Sequence, residues 1–501
     1  MSRPKTGLKN LYQSYRKNCQ GGFAIMFAVT SLVILGGVAV AVDGSRIVKA
    51  RANLQNTVDG LALIAARDGI ENQAELNALA EEYFTLSYSD LDRPNVRINS
   101  ITRNGDTVTV DAVHDVDTQF AAIIGFDEID VAARSEATFA QRKLDIALVL
   151  DNTGSMRGRR LAALKEASND LVDILYENPT LSSGTQLGLV PFATWVNVGT
   201  DQVETSALDT AGQSPQNQIY FDEKVSRFTL YNKLGARWNG CLENRLPPYD
   251  VDDTAPNLAR PETLYQPAFQ PDMADNGSNN FTYVADANGG NQLQRLRETD
   301  KYNTGAQNRG PEQRFERSCD TRRKVTPLTN NVSRIRRGIN NMFADGFTNI
   351  ANGAAWGFRL ISPNAPFTQG RPYEDPDLLK AMVILTDGAQ TMSGQFRGQF
   401  GSNYGPFGFL GEPSLPGQRR LNGNNPKDAL DSKLLEVCSA AKARGIVVYT
   451  ITFELNDPAT QDIMRDCATD PSQYFPVATA AELSPAFRQI AASLGDLRIT
   501  Q

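Results

Sequence analysis

Three oxygen-bearing side chains alternate along one short segment of the sequence. Asp151, Thr153 and Ser155 follow the continuous apolar run from Ile146 to Leu150. Alternate residues of an extended segment point to the same side, so these three side chains can face one point. A carboxylate and two hydroxyls are hard donors, which suit Mg²⁺, Mn²⁺ or Ca²⁺. Three donors are too few to fill six coordination positions, so we expect the rest of the chain to supply more.

Two later segments carry further oxygen donors at the ends of predicted elements. Thr348 lies just before a predicted helix, in the segment GFTNIANG (346–353). Thr386 and Asp387 end a second apolar strand in the segment KAMVILTDG (380–388). These positions could complete the coordination that the first segment begins.

The elements around the first segment predict the fold that would position these residues. After the apolar run and a tight loop comes a helix-period pattern of apolar residues: Leu161, Leu164, Ala167, Leu171 and Leu175. This succession is typical of a doubly wound α/β domain, whose strands are buried on both faces. In such sheets ligands bind beyond the carboxyl ends of the strands. We therefore predict an α/β domain with a mostly parallel sheet over residues 143–501.

The order Asp-x-Thr-x-Ser, then Thr, then Thr-Asp-Gly resembles the metal-ion-dependent adhesion site (MIDAS) of von Willebrand factor A domains. The family usually has Ser at the middle position of its first motif, and Thr153 keeps the hydroxyl. The resemblance implies a divalent-cation site with hydroxyls bound directly, one or both carboxylates acting through water, and one position open to an acidic group on a partner. The implied metal set is Asp151, Thr153, Ser155, Thr348 and Asp387. The alternative is that these are ordinary turn residues at strand ends.

Composition excludes several functional classes. A length of 501 residues allows two or three domains, and the net charge of −7, with no basic stripe, gives no support for nucleic-acid binding. The single histidine, His114, argues against zinc sites and histidine-based catalysis. It lies in an alternating segment and is interpreted as a strand residue.

The N-terminus predicts a membrane anchor. Residues 1–21 contain five basic residues and no acidic one, and residues 22–42 carry no charge. About 20 apolar residues suffice to cross a bilayer as a helix. The basic flank belongs inside, so the remainder is expected outside the cytoplasm. A cleaved signal peptide is the alternative, with Ala39-Val40-Ala41 as a cleavage site. Prepilin-type cleavage is disfavoured because Phe27 stands where prepilins have an acid.

Residues 43–140 predict a helix followed by a small antiparallel subdomain. Apolar residues recur at helical spacing from Ile47 to Ile64. Apolar and polar residues alternate over residues 94–139, with a hairpin signal at Asn104-Gly105-Asp106.

Two segments of the main domain, residues 194–324 approximately and residues 393–427, are interpreted as insertions over the rim of the sheet. Their aromatic residues predict either a partner surface or, as we prefer, cores of the insertions: Trp195, Trp238, Tyr404, Phe407 and Phe409.

Four cysteines fall in the part of the chain placed outside the cytoplasm, where disulfides persist. Sequence alone allows three pairings of these four. We expect Cys241–Cys319 to tie the first insertion, and Cys438–Cys467 to join a late helix to the loop after the last strand. Buried free thiols are the alternative, and Cys19 is expected to stay reduced on the cytoplasmic side.

The N-terminal segment also resembles the TadE/TadG-like pilus-assembly proteins of bacteria. The resemblance is carried by the segments GGFAIMFA (21–28), AVDGSR (41–46) and LALIAA (61–66), and by three later pieces at 238–245, 326–329 and 355–363. It implies a TadG-like protein of the tight-adherence (Flp) pilus system. Such a protein is a single-pass inner-membrane component, largely periplasmic, that helps assemble or anchor the pilus.

Together the patterns predict a non-enzymatic protein that binds partners through a metal ion. The partners implied are pilus-assembly or envelope proteins that offer an acidic side chain. One alternative is a surface adhesin that uses the same site on an external ligand. A remote alternative is an aspartyl-phosphate enzyme, since Asp151-Asn-Thr-Gly-Ser155 is similar to the Asp-Lys-Thr-Gly-Thr motif of P-type pumps. The lysine of that motif is absent.

Overall fold

The computed structural model of the protein describes residues 21–89, 92–105, 107–138, 143–177, 182, 184–221, 224–275, 284–303, 319–391, 404–409 and 426–496. Cys19 and most of the predicted insertion at 393–427 lie outside these ranges. The chain forms two compact units, residues 1–140 and 141–501. Each unit is described by itself.

The first unit packs one long helix on a three-stranded sheet. Its elements are α1 (Gly21–Arg67), α2 (Gln73–Ser87), β1 (Val96–Asn104), β2 (Thr107–Asp117) and β3 (Glu128–Thr138). The strands pair antiparallel in the order β1-β2-β3. Asn104 pairs with Thr107 across the predicted hairpin, where Gly105 adopts a φ of +60° that its missing side chain permits. Among the described residues there is one helix, α1, that is long enough and apolar enough to cross a membrane.

The second unit is an α/β domain built on a six-stranded sheet. Its elements are β4 (Lys143–Asp151), α3 (Arg159–Glu177), β5 (Thr185–Phe192), α4 (Pro215–Tyr220), α5 (Arg227–Lys233), β6 (Leu242–Glu243), β7 (Gln266–Pro267), α6 (Gln292–Arg297), β8 (Thr326–Thr329), α7 (Val332–Asn341), α8 (Ile350–Ile361), β9 (Leu378–Thr386), β10 (Tyr404–Gly405), β11 (Gly408–Phe409), α9 (Pro426–Ala443), β12 (Val447–Phe453), α10 (Pro458–Cys467), β13 (Tyr474–Val477) and α11 (Leu483–Asp496).

The sheet has the order β13-β12-β9-β4-β5-β8, and every pairing is parallel except that of β5 with β8. The apolar run of β4 is continuous because both faces of the strand are covered. Ala147 and Val149 join the core that α8 and α9 form on one face. Ile146 and Leu148 join the core of α3, α7 and α11 on the other face. The predicted doubly wound, mostly parallel sheet is therefore present.

The aromatic residues of the insertions form cores. Trp195, Tyr404 and Phe409 are buried in a cluster that contains residues of both predicted insertions, and Trp238 packs against it. Phe407 packs against the core of the sheet instead. Of the two interpretations in the sequence analysis, the structure supports insertion cores over an exposed partner surface.

Both expected disulfides are present, Cys241–Cys319 and Cys438–Cys467. One detail of the prediction is wrong. Cys467 ends helix α10 and does not lie in a loop, and β12 is followed by a further strand, β13. The short segment Tyr474–Val477 was missed because an edge strand of four residues carries too little periodic pattern to stand out.

Candidate metal centre

The two long central strands bring the first donors together. β4 ends at Asp151 and its parallel neighbour β9 ends at Thr386, with Leu150 opposite Leu385. The carboxyl ends of parallel neighbours meet at one edge of the sheet, so the two side chains touch. The Thr386 hydroxyl donates to Oδ2 of Asp151 at 2.7 Å. This bond orients the buried Asp151 carboxylate.

The loop after β4 curls so that its side chains form a hydrogen-bonded chain. The backbone N–H of Thr153 donates to Oδ1 of Asp151 at 2.8 Å. The hydroxyl oxygens of Thr153 and Ser155 are 2.9 Å apart, and Ser155 Oγ donates to Oδ1 of Asp387 at 2.6 Å. Four of the five predicted donors are thus linked directly, although Ser155 and Asp387 are 232 positions apart in the sequence.

Thr348 completes the set from a third segment. It immediately precedes α8, whose N-terminus is capped by the Asn349 side chain. A methyl group placed on Gly388 would lie 3.6 Å from the Thr348 hydroxyl oxygen and 3.9 Å from that of Ser155. The missing side chain at 388 therefore leaves a small space that both hydroxyls face. All five predicted donors converge at one rim of the sheet.

The electrostatics of this rim favour a cation. Asp151 is completely buried and the side chain of Asp387 is inaccessible to solvent. Burial, and secondly the charge of Asp387, raise the pKa of Asp151 to about 7. Two buried carboxylates with three hydroxyls beside them match the hard oxygen ligands of a divalent ion. Three of the five side chains are hydroxyls, and in the described part of the chain no group of three His, Cys, Asp or Glu side chains could hold a metal ion.

Arg160 is a charged neighbour that the sequence analysis missed. Its guanidinium donates to Oδ2 of Asp387 at 2.7 Å and to Glu454 at 2.9 Å. Arg159 also forms an ion pair with Glu454. Glu454 directly follows β12 and has a left-handed backbone conformation, with a φ of 50°. A signal was available in the sequence. Two arginines in the first turn of a helix oppose the helix dipole, which indicates that acidic partners hold them there.

Arg323 is a second residue that the motifs did not reveal. It is almost completely buried, and its guanidinium donates to the backbone carbonyls of Asn152, Phe343 and Asp345 at 2.9, 3.1 and 3.0 Å. Burial lowers its pKa to about 10. Arg323 thereby joins the loop that carries Thr153 to the segment that leads to Thr348.

Two segments of the loop region are also joined through backbone groups. The N–H of Gly154 donates to the carbonyl of Gly346 at 3.0 Å, and the N–H of Asp345 donates to the carbonyl of Asn152 at 2.9 Å. Thr348 is also joined to the segment after β9. The N–H of Thr391 donates to the carbonyl of Thr348, and the N–H of Thr348 donates to the hydroxyl of Thr391. The donors are therefore held by fixed backbone on both sides.

The sheet order, the helices on both faces and the donors beyond the carboxyl ends of β4 and β9 define a von Willebrand factor A-like domain. Residues 21–68 match the Tad family model, described as Flp pilus-assembly TadE/G-like. A TadE/G-like segment before a von Willebrand factor A-like domain is consistent with a TadG-like protein. The match of the family model covers the N-terminal segment only.

Several solved structures resemble the chain. The pilus adhesin SpaC from Lactobacillus rhamnosus GG, in its open conformation, has a TM-score of 0.35 and 13% identity, covering 81% of this chain and 34% of its own. The von Willebrand factor domain of the type V pili tip protein Mfa5 from Porphyromonas gingivalis has a TM-score of 0.34 and 11% identity, covering 72% of this chain and 97% of its own.

The pilus adhesin RrgA from Streptococcus pneumoniae has a TM-score of 0.36 and 13% identity, covering 79% of this chain and 48% of its own. The match to this chain thus spans about a third of SpaC and about half of RrgA. No curated protein matches the chain. The fold assignment therefore rests on the sheet topology of this chain itself.

Proposed function

We propose that this protein is a membrane-anchored, periplasmic component of Flp/Tad pilus assembly that recognises partner proteins through a divalent cation. Its role is binding and not catalysis. The TadE/G-like segment at residues 21–68 supports the pilus association, and the long apolar part of α1 supports the anchor. The basic residues before the anchor support a cytoplasmic N-terminus in the bacterial inner membrane.

The residues of the rim have distinct parts in this proposal. Thr153, Ser155 and Thr348 would hold the cation through their hydroxyls, while Asp151 and Asp387 supply the balancing charge. A bound Mg²⁺, Ca²⁺ or Mn²⁺ supplies a coordination position for an acidic side chain of the partner. Thr386 orients Asp151, and Arg160 orients Asp387.

The observation that carries the proposal is the position of Ser155. Its hydroxyl lies 2.6 Å from Asp387, 2.9 Å from the Thr153 hydroxyl and 3.9 Å from the same point beside Gly388 that Thr348 faces. Three segments far apart in sequence therefore present their donors to one small volume. Residues after β4 and β9 meet at this edge because the strands are parallel neighbours, but Thr348 comes from a third segment before α8 and faces the same volume.

The test is a metal-dependent pull-down with the full chain from cells that make the pilus. The wild-type protein should retain envelope or pilus proteins in Mg²⁺ or Ca²⁺ and release them in a chelator. The Thr348→Ala/Asp387→Ala variant should lose this binding while its far-ultraviolet circular dichroism is unchanged. The matched control, Thr200→Ala/Asp462→Ala, changes the same residue types at exposed positions and should behave as the wild type.

Two outcomes would contradict the proposal. If the double variant retains the same partners as the wild type, the rim is not the binding site. If protease added to intact cells digests the von Willebrand factor A-like domain, the protein faces the exterior, and the adhesin alternative replaces the assembly role.

A further inference from the structure

The connection between β2 and β3 is uncharged and mostly apolar over residues 119–126, between Asp117 and Asp127, although hairpin connections are usually polar. Residues 119–126, with the sequence QFAAIIGF, contain no charge. Phe120, Ile123 and Phe126 are 37%, 79% and 62% exposed. Adjacent exposed apolar side chains indicate a surface that is covered in the functional state.

Asp43 fixes this connection at a defined height along α1. Its carboxylate accepts hydrogen bonds from the backbone N–H groups of Gln119, Phe120 and Ala121 at 3.0, 3.0 and 2.8 Å. Asp43 directly follows Val42, the last residue of the charge-free stretch of α1. The apolar connection therefore lies beside the end of the charge-free stretch of α1.

The packing of α1 shows in which direction β2 and β3 run. Far from the anchor, Leu54 and Val58 share a core with Val110 of β2. Closer to the anchor, Ile47 and Ala50 pack with Val116 of β2 and Val131 of β3. β2 thus runs back along α1 towards the anchor, and its last residue, Asp117, comes just before the connection.

We propose that residues 119–126 insert Phe120, Ile123 and Phe126 into the head-group boundary of the same bilayer that α1 crosses. The partner is the lipid surface, because the patch is uncharged, apolar and continuous with the end of the membrane-spanning stretch. This second contact fixes the rotation of α1 about its own axis. The inference rests on the membrane anchor of the proposed function.

The test uses the full chain in nanodiscs of phosphatidylethanolamine and phosphatidylglycerol. A Cys19→Ser background with Ile123→Cys carries one nitroxide label, and its collision rates with oxygen and with a water-soluble nickel chelate are compared. The ratio of oxygen to nickel collisions should be several-fold higher at position 123 than in a Leu63→Cys control. Leu63 is similarly exposed but lies roughly 30 Å beyond Asp43 along α1, at 1.5 Å per residue.

A label at Val33→Cys separates the two possible failures. If the label at 33 lies in lipid while the label at 123 collides with nickel as often as the label at 63, the anchor stands and the second contact is refuted. If the label at 33 is also accessible to nickel, the membrane anchor fails first. Shielding of position 123 from both oxygen and nickel would indicate a protein partner and would overturn the lipid assignment.

Asp43→Ala supplies a second, independent check. Without the carboxylate, three backbone N–H groups lose their acceptor and the connection is released from α1. The oxygen-to-nickel ratio at position 123 should then fall several-fold, while that at position 33 stays the same. An unchanged ratio at 123 would show that Asp43 does not place the connection.

Discussion

At the scale of single residues, Thr348 gives the most specific test of the proposed metal site. Its hydroxyl faces the space beside Gly388, and in the described part of the chain it makes no hydrogen bond. Its backbone is held through Thr391 whichever side chain it carries. The side chain can therefore be changed with little effect on the fold.

We expect Thr348→Val to weaken Mg²⁺ or Ca²⁺ binding by roughly tenfold or more, since changes even in groups behind the ligands cost 10–100-fold. The variant keeps the shape of threonine and loses only the hydroxyl. Its free energy of unfolding should change by less than about 1 kcal/mol. Thr348→Ser, which retains the hydroxyl, is the matched control and should bind as the wild type in calorimetric titrations. Equal affinities for the valine and serine variants would exclude Thr348 as a ligand.

The Asp151 carboxyl gives the metal-free protein a characteristic pH dependence. Burial raises its pKa from 3.8 to about 7 in the folded state. Between these values the folded protein binds more protons than the unfolded one, so stability falls as the pH rises. In a chelator, the free energy of unfolding should therefore decrease from about pH 4 to about pH 7.

Asp151→Asn carries no titrating carboxyl and should flatten this slope in denaturant titrations at a series of pH values. The control is Asp462→Asn, an exposed aspartate far from the buried pair in sequence, which should leave the slope as in the wild type. A slope that persists in Asp151→Asn would assign the pH dependence to other groups.

The motifs identified the five side chains that meet at the rim but neither of the arginines that contact this region. Asp151, Thr153 and Ser155 lie within one local segment, and an ordered motif is readable in sequence. Arg160 and Arg323 act on residues that are distant along the chain, Asp387 and the carbonyl of Asn152. Such pairings depend on how the strands are ordered in space, which the sequence pattern does not encode locally.

At the scale of elements, long apolar strands were predictable and short ones were not. β4 and β9 are buried on both faces, so their sequences are continuously apolar. β8 and β13 have four residues each at the two edges of the sheet, and their sequences carry no comparable run. The start of α8 was predicted from the segment after Thr348, while α10 was missed, although Pro458 and its preceding Asp457 are a helix-start signal.

The disulfide Cys241–Cys319 is expected to stabilise the first insertion specifically. It closes a separation of 78 residues, and removal of a native disulfide costs about 2–5 kcal/mol. In Cys241→Ser/Cys319→Ser, hydrogen exchange should become faster in the aromatic cluster around Trp195 and Tyr231, while β4 and β9 stay protected. Cys438→Ser/Cys467→Ser is the comparison, and its effect should centre on α9 and α10. Equal loss of protection throughout the second unit in both variants would refute this division.

At the scale of the whole molecule, the chain combines a first unit that holds a candidate membrane helix with a second unit that holds the candidate metal centre. The first unit holds the TadE/G-like segment and an apolar connection beside the end of the charge-free stretch of α1. The second holds five oxygen donors at one rim of a mixed sheet. This division is what the proposed function requires, namely one unit to anchor the protein and one to bind partners.

The most direct test of the account is the position of Mn²⁺ in a crystal of this protein, located by anomalous X-ray scattering. We predict one strong peak at the rim, in contact with the hydroxyls of Ser155 and Thr348 and beside the carboxylates of Asp151 and Asp387, which is lost in Thr348→Ala/Asp387→Ala. A peak elsewhere, or an ordered rim in saturating Mn²⁺ with no peak at all, would contradict the claim that these side chains form a metal centre.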